Sequence, residues 1–168
     1  ENKTLGIIGM GNIGKNVALK AKAFGMQIIY YNDRTEVPGY RRVNLETLLK
    51  ESDFISLHTP LTPQTRHLIG EHELSLMKPT TILINTARGA IIDEKALAKA
   101  LTQRRITGAA LDVFEDEPHI TETLYGLDNV ILTPHIGTGT IDARIAMGQE
   151  ALDNIHHFLQ GTPVNVVN

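Results

Sequence analysis

The chain has 168 residues, enough for one domain with a sizeable core. Hydrophobic residues are 42%, charged residues 21% and the net charge −3, an ordinary globular balance with no basic excess to attract nucleic acid. With no cysteine, disulfides and thiolate chemistry are excluded; no apolar run approaches the ~18 residues of a membrane span, and no signal-peptide pattern opens the chain. A cytoplasmic location is the expectation. The first residue is Glu1 and strand character begins at Thr4. The chain therefore reads as one domain over 1–168, a piece of a longer protein or a domain released by proteolysis.

In chain order, Thr4 to Ile8 reads as a buried strand. Ile13, Val17, Ala18, Ala21 and Phe24 then recur at helical spacing, and Gly25 ends that helix. Gln27 to Tyr31 is a second strand. A polar stretch from Asn32 to Arg42 turns at Pro38-Gly39, and Asn44 caps a short helix through Leu49. Phe54 to Leu57 is a third strand, followed by the loop His58 to Thr65. Glu71 to Met77 is helical, and Thr81 to Asn85 a fourth strand. Asp93 to Gln103 is a helix with Ala96, Leu97, Ala100 and Leu101 on one side. Gly108 to Val113 and Val130 to Thr133 are further strands. Thr138 to Gln160 is the longest helix, with an apolar stripe of Ile141, Ile145, Leu152, Ile155 and Leu159. Strands alternating with helices imply an α/β fold, a doubly wound parallel sheet of the Rossmann dinucleotide-binding type. The tail from Thr162, with its valines, reads as apolar chain that packs on a part not present.

Gly9-Met10-Gly11-Asn12-Ile13-Gly14 joins the first strand to the first helix. Gly-x-Gly-x-x-Gly is weak alone, but in this strand–turn–helix context it fits a pyrophosphate approached by backbone N–H groups and a helix N-terminus. A plain strand–helix turn is the bland alternative. An acid that holds the adenosine ribose is expected at the end of the second strand. That position is Asn32, followed by Asp33 and Arg34. Asp33 accepting from the ribose favours NAD; Asn32 with Arg34 around a 2′-phosphate favours NADP; an exposed polar turn with no adenosine contact is the third reading. The neutral Asn32 and the nearby guanidinium tilt the reading towards NADP.

In "LINTARGAIID", Arg88 follows a buried-looking strand and abuts Gly89. A charge there is costly without a partner, and a substrate anion is one candidate. Arg88, Asp112, Glu117 and His135 all lie just past strand ends, where open parallel sheets bind ligands.

The segments "GMGNIG", "LHTPLTPQTRHLI", "MKPTTILINTARGAIID", "GAALDVFEDEP" and "TPHIG" occur in the order and spacing of the D-isomer-specific 2-hydroxyacid dehydrogenases, and the chain resembles their cofactor-binding domain from Thr4 to Val167. The resemblance implies an NAD(P)-dependent oxidoreductase that interconverts a small 2-keto acid and a D-2-hydroxy acid, with the substrate domain absent. It implies that Arg88 binds the substrate carboxylate and keto oxygen, since a guanidinium donates in a fixed fork; a structural ion pair is its alternative. His135 is implied as general acid and base, its reference pKa of about 6.5 lying near working pH, with a capping or core histidine as the alternative. Glu117, the acid before the proline, is implied as its partner. Glu115 is the fallback, and Asp116 reads as solvated loop.

For the cofactor, the resemblance places Gly9, Gly11, Asn12, Ile13 and Gly14 at the pyrophosphate, Thr59 nearby, Thr86 and Ala87 at the nicotinamide ribose, and Gly137 beside His135. Asp112 is implied to accept from the carboxamide, with a buried capping acid as its alternative. The histidines His58, His67, His72, His156 and His157 lack metal-ligand spacing, and this chemistry requires no metal. Tyr30-Tyr31, Asn32 and Arg34 are similar to the glyoxylate/hydroxypyruvate reductase branch, and phosphoglycerate dehydrogenase-like substrates stay open. The family pattern also implies a homodimer. The rival from another class is an NAD(H)-sensing, corepressor-like binding module, which motifs alone do not separate from an enzyme.

Overall fold

The structure is a computed structural model that describes residues 2–32 and 36–166. Asp33 and Arg34, on which the ribose reading turns, lie outside the described residues. The chain divides into two compact units, Glu1–Pro134 and His135–Asn168.

The first unit contains seven parallel strands: β1 (Thr4–Ile8), β2 (Gln27–Tyr31), β3 (Arg41–Arg42), β4 (Phe54–Leu57), β5 (Ile82–Asn85), β6 (Gly108–Leu111) and β7 (Val130–Leu132). Their order across the sheet is β3-β2-β1-β4-β5-β6-β7. The order reverses direction between β1 and β4, which makes that boundary the topological switch point. The helices of this unit are α1 (Asn12–Ala23), α2 (Leu45–Glu51), α3 (Glu71–Leu76), α4 (Glu94–Thr102) and α5 (Glu122–Tyr125).

Strand alternation divides the core. Leu5, Ile7, Ile28 and Tyr30 join Ala18 and Ala21 of α1 in one cluster, whereas Ile8, Ile29, Ile55 and Leu57 join residues of α2, α3 and α4 in the other. Period-2 side chains thus feed both faces of one sheet, as a doubly wound fold requires.

Helix α1 departs from the expected stripe. Its buried residues are Gly14, Ala18 and Ala21, while Ile13 and Phe24 are exposed. Small residues on the inner face bring the helix axis close to β1, and the larger ones are left outside. Two elements had no sequence signal. β3 is only Arg41–Arg42 and is a strand because it pairs with Ile29 and Tyr30; α5 is a four-residue helix. The Asn44 cap stands as expected, its side chain accepting from the Thr47 N–H at 2.8 Å.

The second unit consists mainly of α6 (Ile141–Leu159), which starts at the Thr140 cap rather than at Thr138. No residue of α6 is buried; Ile141, Ile145, Leu152, Ile155 and Leu159 are all exposed. Among the described residues no helix is long and apolar enough to cross a membrane.

Asp53, just before β4, accepts from the Thr4 N–H at 2.9 Å and from Lys78 at 3.3 Å. The Thr4 hydrogen bond, aided by Lys78 and Lys3 against partial desolvation, holds its carboxyl below the usual value of 3.8. A carboxylate whose folded pKa is depressed stabilises the fold above its unfolded pKa, and that contribution is lost as pH falls through the folded value. Asp53→Asn is therefore expected to be less stable than the parent by about 1 kcal/mol at neutral pH. The gap should close in acid, below the ordinary aspartate range, as read by urea unfolding at a series of pH values.

Candidate functional site

The turn after β1 gives each glycine a different task. Gly9 has φ 97°, and a Cβ there would lie 2.5 Å from the His58 carbonyl oxygen. A Cβ at Gly14 would lie 2.2 Å from the Gly9 carbonyl oxygen, so any side chain would push α1 off the strand end. At Gly11 a Cβ would meet nothing within 4 Å, so the start of α1 faces open space. Gly11 is also the N-cap of α1 and supplies no side-chain acceptor. Tight turn, open approach and close helix packing are the three features that let a pyrophosphate sit against backbone N–H groups. The residues present therefore fit a dinucleotide. Asn12 and Ile13 are both exposed on the first turn of α1.

Beside this turn is a cleft of about 550 Å³, whose lining includes Gly9, Asn32, Thr59, Gln64 and Thr65. It opens at the carboxyl ends of β1, β2 and β4, and its size suits a small-molecule or cofactor site. Thus the expected cofactor residues Gly9, Asn32 and Thr59 come together. Arg42 was missed from the sequence: its Nη2 donates to the Asn32 carbonyl at 2.8 Å, bringing a cation to this end of the cleft. His58, the residue after β4, is half-buried. Its Nε2 is 2.9 Å from Ser56 Oγ, and burial lowers its pKa.

The second group of expected residues lies beyond β5 and β6, away from the lining of that cleft. Arg88 is exposed, which corrects its reading as a charge on a buried strand tip. The strand ends at Asn85, 1% exposed, and the chain then climbs to the surface. The Asn85 amide braces that climb, accepting from the Ala87 N–H and donating to the Arg88 carbonyl, each at 3.0 Å. Thr86 and Ala87 lie on this braced segment, and Arg88 Nη1 donates to the Ala87 carbonyl at 2.6 Å. The glycine beside the arginine has a steric cause. A Cβ at Gly89 would lie 1.9 Å from the Phe114 carbonyl carbon and 2.5 Å from the Glu115 nitrogen. Backbone here meets backbone, which seats the arginine turn directly against the acidic loop.

Within that loop, Asp112 is buried and accepts from the Thr133 hydroxyl at 2.6 Å. Glu117 is exposed, and its Oε1 accepts from the Phe114 N–H at 3.0 Å. Glu115, the fallback partner, is engaged elsewhere: Arg66 and His67 contact its Oε1 at 2.9 and 2.7 Å. Asp116 is exposed. In the second unit, His135 is exposed with φ 53°, and Gly137 is also exposed.

Residues 1–137 match the family described as D-isomer specific 2-hydroxyacid dehydrogenase, NAD binding domain. The chain belongs to that family. As a D-2-hydroxyacid dehydrogenase domain it has the Rossmann-type sheet expected of it. It is 55% identical over 175 residues to the glyoxylate reductase of Thermococcus litoralis, which covers 100% of this chain and 53% of that protein. Among solved structures it superposes on a glyoxylate reductase from Paecilomyes thermophila with TM-score 0.89 and 45% identity, over 92% of this chain and 48% of that one. An acyclic imino acid reductase in complex with NADPH and D-Arg matches with TM-score 0.93 and 42% identity, over 100% of this chain and 54% of that one. The chain spans about half the length of the curated relatives it matches.

Proposed function

We propose that this chain is the dinucleotide-binding domain of an NAD(P)-dependent reductase that converts a small 2-keto acid into its D-2-hydroxy acid. The observation that carries the reading is the Gly9–Gly14 turn at the switch point, tight at Gly9, packed at Gly14 and open at Gly11. The remaining half of the length seen in relatives would form the substrate domain. Glyoxylate is the favoured substrate because relatives about half identical to this chain are glyoxylate reductases.

A bound nicotinamide supplies the hydride. Arg88 receives the substrate carboxylate and polarises the keto oxygen, a role suited to an exposed guanidinium whose backbone is braced by Asn85. His135 delivers the proton, and Glu117 supports its charged form. Asp112 orients the carboxamide; Asn12, Ile13, Thr59, Thr86, Ala87 and Gly137 border the cofactor. NADP is preferred over NAD, through Asn32, Arg34 and the added cation Arg42. The exposed apolar stripe of α6 supports burial of that helix in a homodimer of the full-length protein, for which a cytoplasmic location is part of the proposal.

The test is turnover by the full-length protein on glyoxylate, hydroxypyruvate and pyruvate, each with NADPH and NADH. Reduction of glyoxylate with NADPH as the better donor is expected. Absence of turnover on all three would contradict the enzymatic reading.

A further inference from the structure

Glu94 is the first residue of α4, directly after the Asp93 cap, which accepts from the Ala96 N–H at 3.0 Å. A carboxylate in the first turn of a helix normally faces water and complements the helix dipole. Glu94 instead is 6% exposed. Its two oxygens are both taken by backbone of the acidic loop: Oε2 accepts from the Glu115 N–H at 2.9 Å, and Oε1 from the Thr121 N–H at 2.8 Å. A buried carboxylate is tolerated when such charge-assisted bonds satisfy it.

These two bonds grip the loop at its two ends, on either side of Glu117. Between them the turn closes on itself through the Phe114 N–H to Glu117 and the His119 N–H to the Asp116 carbonyl at 2.8 Å. The outer side is held by Arg66 and His67 on Glu115, and the inner side by backbone contact with Gly89. Helix α4 follows the Arg88 turn after only a few residues, with Ile91 and Ile92 N–H groups bonded back to Arg88 and Gly89. The start of one helix thus sets the place of both the arginine turn and the acid turn.

We propose that Glu94 is a positioning residue that fixes the loop bearing Glu117 relative to Arg88. The link to catalysis rests on the reductase reading above; the clamp itself does not. Glu94→Gln keeps the shape but sets an NH2 donor against one of the two N–H donors. Thr121→Pro removes one donor and leaves Glu94 intact, and the Thr121 φ of −54° already suits proline.

In this chain, followed by amide resonances, Glu94→Gln is expected to speed exchange of the Glu115 and Thr121 amides about tenfold or more. Thr121→Pro should do so at Glu115 to a smaller extent. In the full-length protein, both variants should lower kcat about 10- to 100-fold while the Kd for NADPH stays within about twofold. Unchanged exchange in both variants would overturn the clamp. Faster exchange with unchanged kcat in an active full-length enzyme would overturn the positioning role. If the parent full-length protein reduces no 2-keto acid, the reductase reading and the catalytic role of Glu94 fall together, and the exchange measurement still decides the clamp.

Discussion

Arg88→Ala in the full-length protein is expected to lower kcat/KM for the 2-keto acid by about 10²- to 10³-fold, the range for removing a donor aimed at developing oxyanion charge. NADPH affinity should hardly change. The side chain is exposed beyond β5 and, among the described residues, is in ion-pair contact with no carboxylate. Its truncation therefore leaves no buried acid orphaned, and a loss of activity reports on substrate. Arg88→Lys should restore little, because an ammonium keeps the charge but not the planar fork. Steady-state kinetics with a parallel cofactor titration checks this; retention of near-parental kcat/KM would remove Arg88 from the site.

His135→Ala should lower turnover about 10²- to 10⁴-fold, the usual contribution of a positioned general acid. Backbone conformation complicates that variant. His135 has φ 53°, a left-handed conformation in which alanine is strained and asparagine is comfortable. His135→Asn therefore removes the acid without adding strain, and should be as inactive as the alanine variant while melting closer to the parent. If His135→Asn turned over normally, proton delivery would belong to another group.

How much of this could be read from residues depends on how local each cause is. β2 and β4 stand at the expected residues because their apolar runs are bounded by Gly, Asn and His-Thr-Pro loop signals. The glycine turn between β1 and α1 was legible for the same reason: strand, glycines and helix are adjacent in sequence. β3 was not, since two arginines carry no strand signal and only pairing with β2 makes them one. Arg42 was missed with it, because its proximity to Asn32 comes from that pairing. Gly89 could be questioned from sequence, but its reason is the distant Phe114–Glu115 backbone. Glu94 drew no reading beyond its place in a helix, and only tertiary structure reveals its burial. The stripe of α6 was visible as a period, yet period does not say what covers it, and all five of its residues are exposed.

The central claim is that a dinucleotide seats on the turn between β1 and α1. Titrating this chain with NADPH and then NADH, at one salt concentration and followed by backbone amide resonances, tests it most directly. Saturable shifts at Gly9, Gly11, Asn12, Ile13, Gly14 and Thr59, reached at lower concentration with NADPH, are the predicted result. Saturable shifts confined to other residues, or none at that turn with either cofactor at millimolar concentration, would contradict it.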